Sequence, residues 1–400
     1  MAGKRRGRGE GSVFERADGQ WVGSISLGYN ETGRRKRKTV YGATKKEVLD
    51  ELDRLRTDAR VGNLPDAGGM TVGQLLDRWL LSSKSKTGTR TFEERERVVK
   101  NHLRNRLGGL KLAKLTALHV EGLYADMGRE GVGESTIRHA ADMLGVALSH
   151  ACKLKLIPFN PASAVSKPKE PAREMLFLMP EQVKILLDTA RDQRCYPLLV
   201  VALATGCRQG ELLALTWEHI DLQKGTLTVR RSLSQTDHGF EIKEPKTAAS
   251  RRTIALPDWA VSILTQHKAM MMKAGLLSAP IFCNRDGGYL LKRNVLRSLR
   301  SIIRRANTPP GKVNKGGRPK KGTLPKPKDN FEMLKLIPAK LRFHDLRHTV
   351  ASILLSQGQS VRAVSQRLGH SNPALTLRVY AHCMPSDDPQ LAAALNKMLG

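Results

Sequence analysis

The part of the chain after about residue 172 contains the side-chain types that a metal-free cut in a phosphodiester requires. Such a cut needs a nucleophile, positively charged hydrogen-bond donors for the phosphoryl oxygens, and an acid for the leaving oxygen. The candidates, in chain order, are Arg208 with Glu211, Lys246, His344 with Arg347, His370 and Tyr380. Each has an ordinary structural explanation when taken alone, so only their combination indicates phosphoryl transfer.

Arg208 lies at the start of a predicted helix, two residues after the turn residue Gly206. From that position a guanidinium can offer its planar fork to a phosphate, and Glu211, one helical turn later, can hold this arginine or a neighbour. An arginine and a glutamate three residues apart also form ordinary surface ion pairs. The pair alone therefore leaves both explanations open.

His344 and Arg347 are three residues apart, so both project from one face of a predicted helix. The other face carries Leu346, Val350, Ile353 and Leu354. A phosphate bound by both polar side chains would explain this layout, and a capped, solvated helix start is the alternative.

Lys246 falls in a turn between two predicted strands, residues 225–230 and residues 252–256. A lysine on a mobile turn can reach a leaving oxygen and donate a proton to it. Most turn lysines are simply solvated, so the position alone does not indicate catalysis.

Tyr380 follows His370 by ten residues and lies near the far end of a short predicted helix. His370 itself stands after Gly369, at the break between that helix and the preceding one. A single tyrosine in such a helix can equally serve packing.

The chain contains three regions with different sequence patterns, and together they predict an α+β protein of several domains. Residues 1–62 alternate β-prone runs with turns and then show a capping box, Thr44 with Glu47, which predicts a small three-stranded sheet plus a helix. Residues 71–160 have apolar residues at helical spacing and predict an all-helical domain. Residues 172–400 predict a mixed, mainly helical domain with a small sheet, and this domain holds all the candidate residues.

A basic run beside the third predicted strand indicates a contact with a polyanion. It consists of Arg34, Arg35, Lys36, Arg37 and Lys38. A basic, flat sheet suits a DNA groove or the phosphate backbone, and a solvated loop is the alternative.

A second basic stretch forms an insertion near residues 306–340, rich in proline, glycine and lysine. Within it, Arg318 and Lys320 resemble the core of an AT-hook, a short motif that places an arginine and a lysine in a narrow minor groove. A merely solvated loop is the alternative here as well.

The composition of the 400 residues favours nucleic acid as the partner. With 68 lysines and arginines against 37 aspartates and glutamates, the formal net charge is +31, and a surface this basic attracts a polyanion. We find no run of about 18 apolar residues and no secretory signal pattern, which predicts no membrane contact and a cytoplasmic protein that associates with the nucleoid on DNA. The five cysteines are too widely spaced for a zinc motif, so no metal is expected.

Taken in order, the candidate segments resemble the tyrosine recombinase (phage integrase) family. The matching signature is Thr205-Gly206-x-Arg208-x-x-Glu211-Leu212, a lysine in a β-turn, His344-x-x-Arg347-His348, Leu368-Gly369-His370, and a tyrosine ten residues on. The resemblance covers the chain from about residue 172 to Tyr380 in full. The two preceding domains resemble, more loosely, the arm-binding and core-binding domains of the family.

The resemblance implies a role for each candidate residue. Tyr380 would attack the scissile phosphate and leave a 3′-phosphotyrosyl link and a free 5′ hydroxyl. Arg208 and Arg347 would hold the non-bridging oxygens, with Glu211 as a supporting carboxylate. Lys246 would protonate the leaving oxygen, His344 would assist proton transfer from the tyrosine, and His370 would donate a hydrogen bond to the phosphate. His348 and His382 match structural positions of the signature, so neither is predicted to be catalytic.

The resemblance also implies partners. They are double-stranded DNA attachment sites, a homotetramer on two duplexes, and a DNA-bending or directionality helper protein. The reaction would integrate or excise a mobile element or phage genome without a cofactor, because the phosphotyrosine conserves the bond energy. Two alternatives stay open, a DNA-relaxing enzyme similar to type IB topoisomerases and a DNA-binding regulator without catalysis.

Overall fold

The computed structural model of the chain describes residues 12–29, 35–60, 69–169, 175–244, 251–308, 336–370 and 372–381. The chain divides into two compact units, Met1–Ala172 and Arg173–Gly400. The architecture is α+β, mainly helical with small antiparallel sheets, as the sequence predicts. Among the residues described, no helix has the length and apolar character needed to cross a membrane.

The first unit opens with a three-stranded antiparallel sheet and one helix. The strands β1 (Ser12–Glu15), β2 (Trp21–Tyr29) and β3 (Arg35–Gly42) lie in chain order, and helix α1 (Lys45–Arg60) follows them. The predicted capping box opens α1: Thr44 Oγ1 accepts the backbone N–H of Glu47, whose carboxylate accepts the backbone N–H of Ala43. Their small core contains Ile25, Val48, Leu52 and Leu55.

Gly23 of β2 explains how helix α1 packs so closely on the sheet. A Cβ atom at this position would lie 2.6 Å from Val48 Cγ1 and 2.7 Å from Leu52 Cδ1. Only a residue without a side chain leaves room for these two core residues.

The remainder of the first unit is helical. Its helices are α2 (Val72–Lys84), α3 (Thr89–Val98), which continues through a π-helical turn (Val99–Arg104) into α4 (Asn105–Leu107), α5 (Ala117–Arg129) and α6 (Glu134–Lys153). A second, separate core joins them through fully buried side chains, including those of Leu76, Leu103, Leu123, Leu144 and Leu148. This core is apolar at helical spacing, which is why the sequence pattern predicts the region well.

The second unit places a small sheet among eight helices within its described residues. The helices are α7 (Pro180–Ala190), α8 (Tyr196–Thr205), α9 (Gln209–Leu213), α10 (Asp258–Lys273), α11 (Lys292–Ala306), α12 (Asp345–Ser356), α13 (Val361–Leu368) and α14 (Pro373–Tyr380). The antiparallel sheet has the order β4 (Ile220–Asp221), β5 (Thr226–Val229), β8 (Arg252–Ala255). The main core includes Leu186, Leu198, Leu212, Leu227, Leu264 and Leu299.

The connection between strands β5 and β8 corrects one prediction. The two strands do pair. However, a hairpin formed by β6 (Ser232–Thr236) and β7 (Gly239–Lys243) lies between them in the chain, so the prediction that one turn connects them is wrong. The hairpin forms because Leu233 is buried in the main core and Gly239, at φ +121°, closes a two-residue loop. Lys246 therefore follows β7, and its position lies outside the described residues.

Candidate active site

The turn between helices α8 and α9 positions Arg208. Helix α8 ends at Gly206, whose φ of +67° reverses the chain, and a Cβ atom there would lie 2.6 Å from Leu368 Cδ2. Arg208 is the N-cap of α9, and its backbone N–H donates to Glu211 Oε2 at 2.9 Å. Its side chain donates from Nη1 to Glu211 Oε1 at 2.9 Å and from Nη2 to the carbonyl of Gly369 at 3.2 Å.

Glu211 also holds a second guanidinium, that of Arg252 on strand β8. Arg252 Nη2 donates to Glu211 Oε2 at 2.9 Å, and Arg252 Nε donates to the carbonyl of Arg367 at 2.7 Å. The Glu211 and Arg252 side chains are 5% and 7% exposed. Burial alone would raise the pKa of Glu211, but the hydrogen bond and charge of Arg252, with those of Arg208, lower it below its ordinary value. The carboxylate is therefore ionised and braces both arginines.

The sequence interpretation missed Arg252. Its signal is the alternation along β8, where Arg252 lies two residues before the buried Ile254 and so shares its inward-facing side. A buried arginine on such a strand requires a carboxylate partner, and Glu211 is the one it finds.

Helix α12 positions His344 and Arg347. His344 is the N-cap residue, and Arg347 lies in the first turn with 3% of its surface exposed. Arg347 Nη1 donates to the carbonyl of Gly206 at 2.8 Å, while its buried Nη2 has no hydrogen-bond partner among the described residues. Burial, followed by the charge of Arg208, lowers the pKa of Arg347 to about 10, so the guanidinium stays protonated at neutral pH.

His344 keeps more than a third of its surface exposed. The surrounding protein nevertheless lowers the pKa of its imidazole to about 4, through partial burial first and then the charges of His348 and Arg347. The imidazole of His344 is therefore neutral at pH 7.

His370 follows Gly369, which ends helix α13 at φ +69°. Its Nδ1 forms a hydrogen bond of 2.7 Å with Oγ1 of the buried Thr376 on helix α14. Burial and then the charges of Arg347 and Arg208 lower the pKa of His370 to about 4. His370 is therefore a neutral imidazole fixed beside the arginines.

Tyr380 is the last residue of helix α14 and is 2% exposed. Its ring packs in a small cluster with Ala351, Leu355, Val364 and Leu368, so the packing alternative is partly right. Its hydroxyl, however, lies 2.5 Å from Nδ1 of His348, and the His348 ring makes an edge contact with His344. The residue next to Arg347 that the sequence interpretation set aside is thus in direct contact with the candidate nucleophile.

Several predicted residues lie elsewhere or outside the description. Arg35, Lys36, Arg37 and Lys38 are on strand β3, where Arg37 and Lys38 are exposed. Arg34, Lys246, Arg318 and Lys320 lie outside the described residues, as does most of the insertion near residues 306–340. Within the described ranges, no group of three His, Cys, Asp or Glu side chains could hold a metal ion.

This arrangement can bind an anion and remove a proton. Arg208 and Arg347 present guanidiniums near each other, with Glu211 paired to Arg208 and Arg252, so a further negative charge is favoured beside Arg347. Neutral imidazoles of His344, His348 and His370 surround the same place, and a phenol hydroxyl is hydrogen-bonded to one of them. Nucleophilic attack by that phenol on a bound phosphate is the chemistry that these groups allow.

The chain is similar to known proteins over most of its length. The family model described as "Phage integrase family" matches residues 177–386, more than half of the chain, and "Phage integrase, N-terminal SAM-like domain" matches residues 71–127. A protein of Caldanaerobacter subterraneus subsp. tengcongensis named "Tyrosine recombinase XerC-like" is 25% identical over 402 residues, covering 94% of this chain and 95% of that protein.

Solved structures show the same fold. The Tn1549 transposon integrase in complex with a circular intermediate DNA has a TM-score of 0.66 at 22% identity, covering 83% of this chain and 100% of the solved chain. A lambda integrase tetramer bound to a Holliday junction has a TM-score of 0.55 at 17% identity, covering 90% and 96%.

Proposed function

Because the chain belongs to the phage integrase family, we propose that it is a site-specific tyrosine recombinase that cuts and rejoins DNA through a covalent bond at Tyr380. The observation that carries this proposal is the buried Arg347 guanidinium, whose Nη2 has no hydrogen-bond partner among the described residues and which lies beside Arg208 and close to the Tyr380–His348 hydrogen bond. A buried cationic donor of this kind favours an anionic partner, and a scissile phosphate would supply one.

The first step we propose is attack by Tyr380 Oη on the phosphorus. The Oη–P bond forms, the bond from phosphorus to the 5′ oxygen breaks, and a 3′-phosphotyrosyl link and a free 5′ hydroxyl result. The phenol loses its proton, and the leaving oxygen gains one, which we assign to Lys246. Rejoining reverses these steps with the 5′ hydroxyl of the partner strand, so no cofactor is needed.

The arginines stabilise the charge that accumulates on the non-bridging oxygens during this attack. Arg208 and Arg347 are held by backbone carbonyls and by Glu211 before substrate arrives, so little reorganisation is needed in the transition state. His370, as a neutral imidazole, donates a hydrogen bond to the phosphate. His344, exposed and neutral, assists proton transfer from the tyrosine.

The proposed substrate is a pair of double-stranded attachment sites that belong to a mobile element or phage genome. The Tn1549 and lambda integrases, which share the fold, are found in complex with a circular intermediate DNA and as a tetramer on a Holliday junction. We assign the same homotetramer on two duplexes to this chain, with a DNA-bending or directionality helper, in the cytoplasm on the nucleoid. Counting protomers on a synthetic junction by mass photometry tests the tetramer.

The N-terminal domain, residues 1–62, and the basic insertion extend the proposed DNA contact. Arg34 to Lys38 would bind arm sites, and Arg318 with Lys320 would enter a minor groove, while residues 71–160 bind the core site and residues 172–400 catalyse. Hydroxyl-radical footprints of the full chain on core and arm DNA test this division, because minor-groove and arm contacts protect different nucleotides.

Trapping on a nicked suicide substrate tests the reaction class. The substrate carries the element's own junction, and the covalent product is read on a denaturing gel. We expect a protein–DNA band with the wild-type chain and with Tyr289→Phe, a matched control in the same unit, and no band with Tyr380→Phe. A band that persists in Tyr380→Phe would show that another residue attacks.

Two further outcomes separate the alternatives. A wild-type chain that binds the junction without forming a band would indicate a regulator. Relaxation of supercoiled DNA that lacks any attachment site would indicate an enzyme similar to type IB topoisomerases.

A further inference from the structure

We propose that His348 is a catalytic residue that orients the Tyr380 hydroxyl and accepts its proton while the Oη–P bond forms. This inference rests on the proposed function and deepens it, because it assigns the proton that the attack releases. In the rejoining step the same imidazolium returns the proton to Oη as the Oη–P bond breaks. His348 therefore both takes the proton from Tyr380 and gives it back, and the two steps need no further proton carrier.

The first argument is the contact itself. His348 Nδ1 and Tyr380 Oη are 2.5 Å apart, a short hydrogen bond between a ring nitrogen and a hydroxyl. Helices α12 and α14 hold the two residues on facing sides, and the rings lie 5.7 Å apart between centroids. A general base must lie within hydrogen-bond reach of the proton that it removes, and His348 meets this condition before substrate arrives.

The second argument concerns charge. Burial is the largest cause that lowers the pKa of His348, and Arg347 and Arg342 lower it further, so the resting imidazole is neutral and can accept a hydrogen bond. Asp345, on the preceding turn of helix α12 and fully buried, acts in the opposite direction. Its carboxylate, held by Arg342, favours the imidazolium that forms after proton transfer.

The third argument separates the two neighbouring histidines. His344 touches the His348 ring edge-on at 5.1 Å between centroids and experiences the charges of Arg347 and Arg208. Taken as a whole residue, His344 is also the more exposed of the two. His344 therefore faces the charge of Arg208 and the solvent, whereas His348 contacts the nucleophile directly.

The test compares His348→Asn with the wild-type full chain in single-turnover cleavage of the suicide substrate. Asparagine places a polar atom near the position of Nδ1, so it can hold the hydroxyl, but it cannot take up a proton. We expect the covalent product to form about 100-fold more slowly at pH 7, the usual size of a general-base effect. The exposed His238→Asn serves as the matched control and retains the wild-type rate.

Two readouts distinguish catalysis from a structural role. First, the rate of His348→Asn is expected to rise with pH where the wild-type rate is level. Second, difluorotyrosine at position 380 releases its proton more readily than tyrosine. It is expected to raise the cleavage rate of His348→Asn at least tenfold. A loss that is independent of pH and is not relieved by difluorotyrosine overturns the proposal, and so does a rate within threefold of wild type.

A measurement on the free protein keeps the proposal falsifiable if the variant folds poorly. Nitrogen-15 shifts of the His348 ring are expected to show Nδ1 without a proton, and the signal of a hydrogen-bonded acceptor is expected to disappear in Tyr380→Phe. A proton fixed on Nδ1 overturns the acceptor role. Failure of the proposed function has a different signature, since the wild-type chain would then form no covalent product at all.

Discussion

The two halves of the candidate site are held in different ways. The arginine cluster, which comprises Arg208, Glu211, Arg252 and Arg347, is fixed by ion pairs and by hydrogen bonds to backbone carbonyls of Gly206, Gly369 and Arg367. The tyrosine–histidine pair, Tyr380 with His348, is fixed by apolar packing and a hydrogen bond at the end of the eight-residue helix α14. Changes in the cluster should therefore affect folding and chemistry together, whereas changes in the pair should affect mainly chemistry.

The largest effect is expected for Glu211→Gln, which breaks the arginine cluster at its centre. Glutamine retains the shape but leaves Arg252 as a buried charge without its carboxylate, which costs about 3 kcal/mol of unfolding free energy. Cleavage should also be lost, because Arg208 loses its brace. Urea unfolding and suicide-substrate trapping measure the two effects.

The control for this variant is Asp188→Asn, which breaks the exposed ion pair with Arg191. Its expected cost is below about 1 kcal/mol. Equal costs for the two variants would contradict the distinction between a buried cluster and a surface pair.

An intermediate effect is expected for Gly369→Ala. Both Gly369 and Gly358 have positive φ, +69° and +73°, so alanine at either costs about 1 kcal/mol of backbone strain. At Gly369 the new Cβ would also lie 2.7 Å from Arg252 Nη1, whereas at Gly358 it meets no atom within 4 Å. We expect Gly369→Ala to unfold at lower urea than Gly358→Ala and to cleave at least about tenfold more slowly. Equal cleavage rates would show that the cluster tolerates displacement of Arg252.

pH is expected to act on the histidines and to leave the arginines protonated, so its effect on stability grows as the pH falls. Burial, with nearby cations, lowers the pKa of His344 and of His370 to about 4 in the folded chain, against 6.5 for the free side chain. As pH falls from 6.5 towards 4, the unfolded chain therefore binds protons that the folded chain excludes, and the free energy of unfolding decreases.

Urea midpoints between pH 8 and pH 4 measure this dependence. These histidines should leave the urea midpoint unchanged above pH 6.5 and lower it below pH 6.5. In His370→Asn the midpoint should decrease less steeply with falling pH. An unchanged slope in that variant would place the titrating groups elsewhere.

The sequence predicts best what short-range pattern determines. The capping box at Thr44 and Glu47, the break at Gly206 and the helix start at Arg208 depend on residues within one turn of each other, and the structure has all of them. Arg252 was missed because its partner, Glu211, is 41 residues away in the chain. His348 was set aside because its contact with Tyr380 depends on how helix α14 packs on helix α12.

The strand pattern shows the same limit. Pairing of β5 with β8 is long-range, and the hairpin between them depends on whether Leu233 enters the main core. Alternation of residue types along the chain does not determine that choice.

Arg347 places the stability of this protein in conflict with its activity. Arg347 is 3% exposed, its Nη2 has no hydrogen-bond partner in the part of the chain that the structure describes, and its guanidinium experiences the charges of Arg208 and Arg252. Such a group is unfavourable in the folded chain without an anion. An apolar side chain of similar length would fill the same space and remove that repulsion. If selection for the proposed recombination were relaxed, a substitution at this position would abolish cleavage and relieve the repulsion among the arginines, so activity could be lost without any loss of protein abundance.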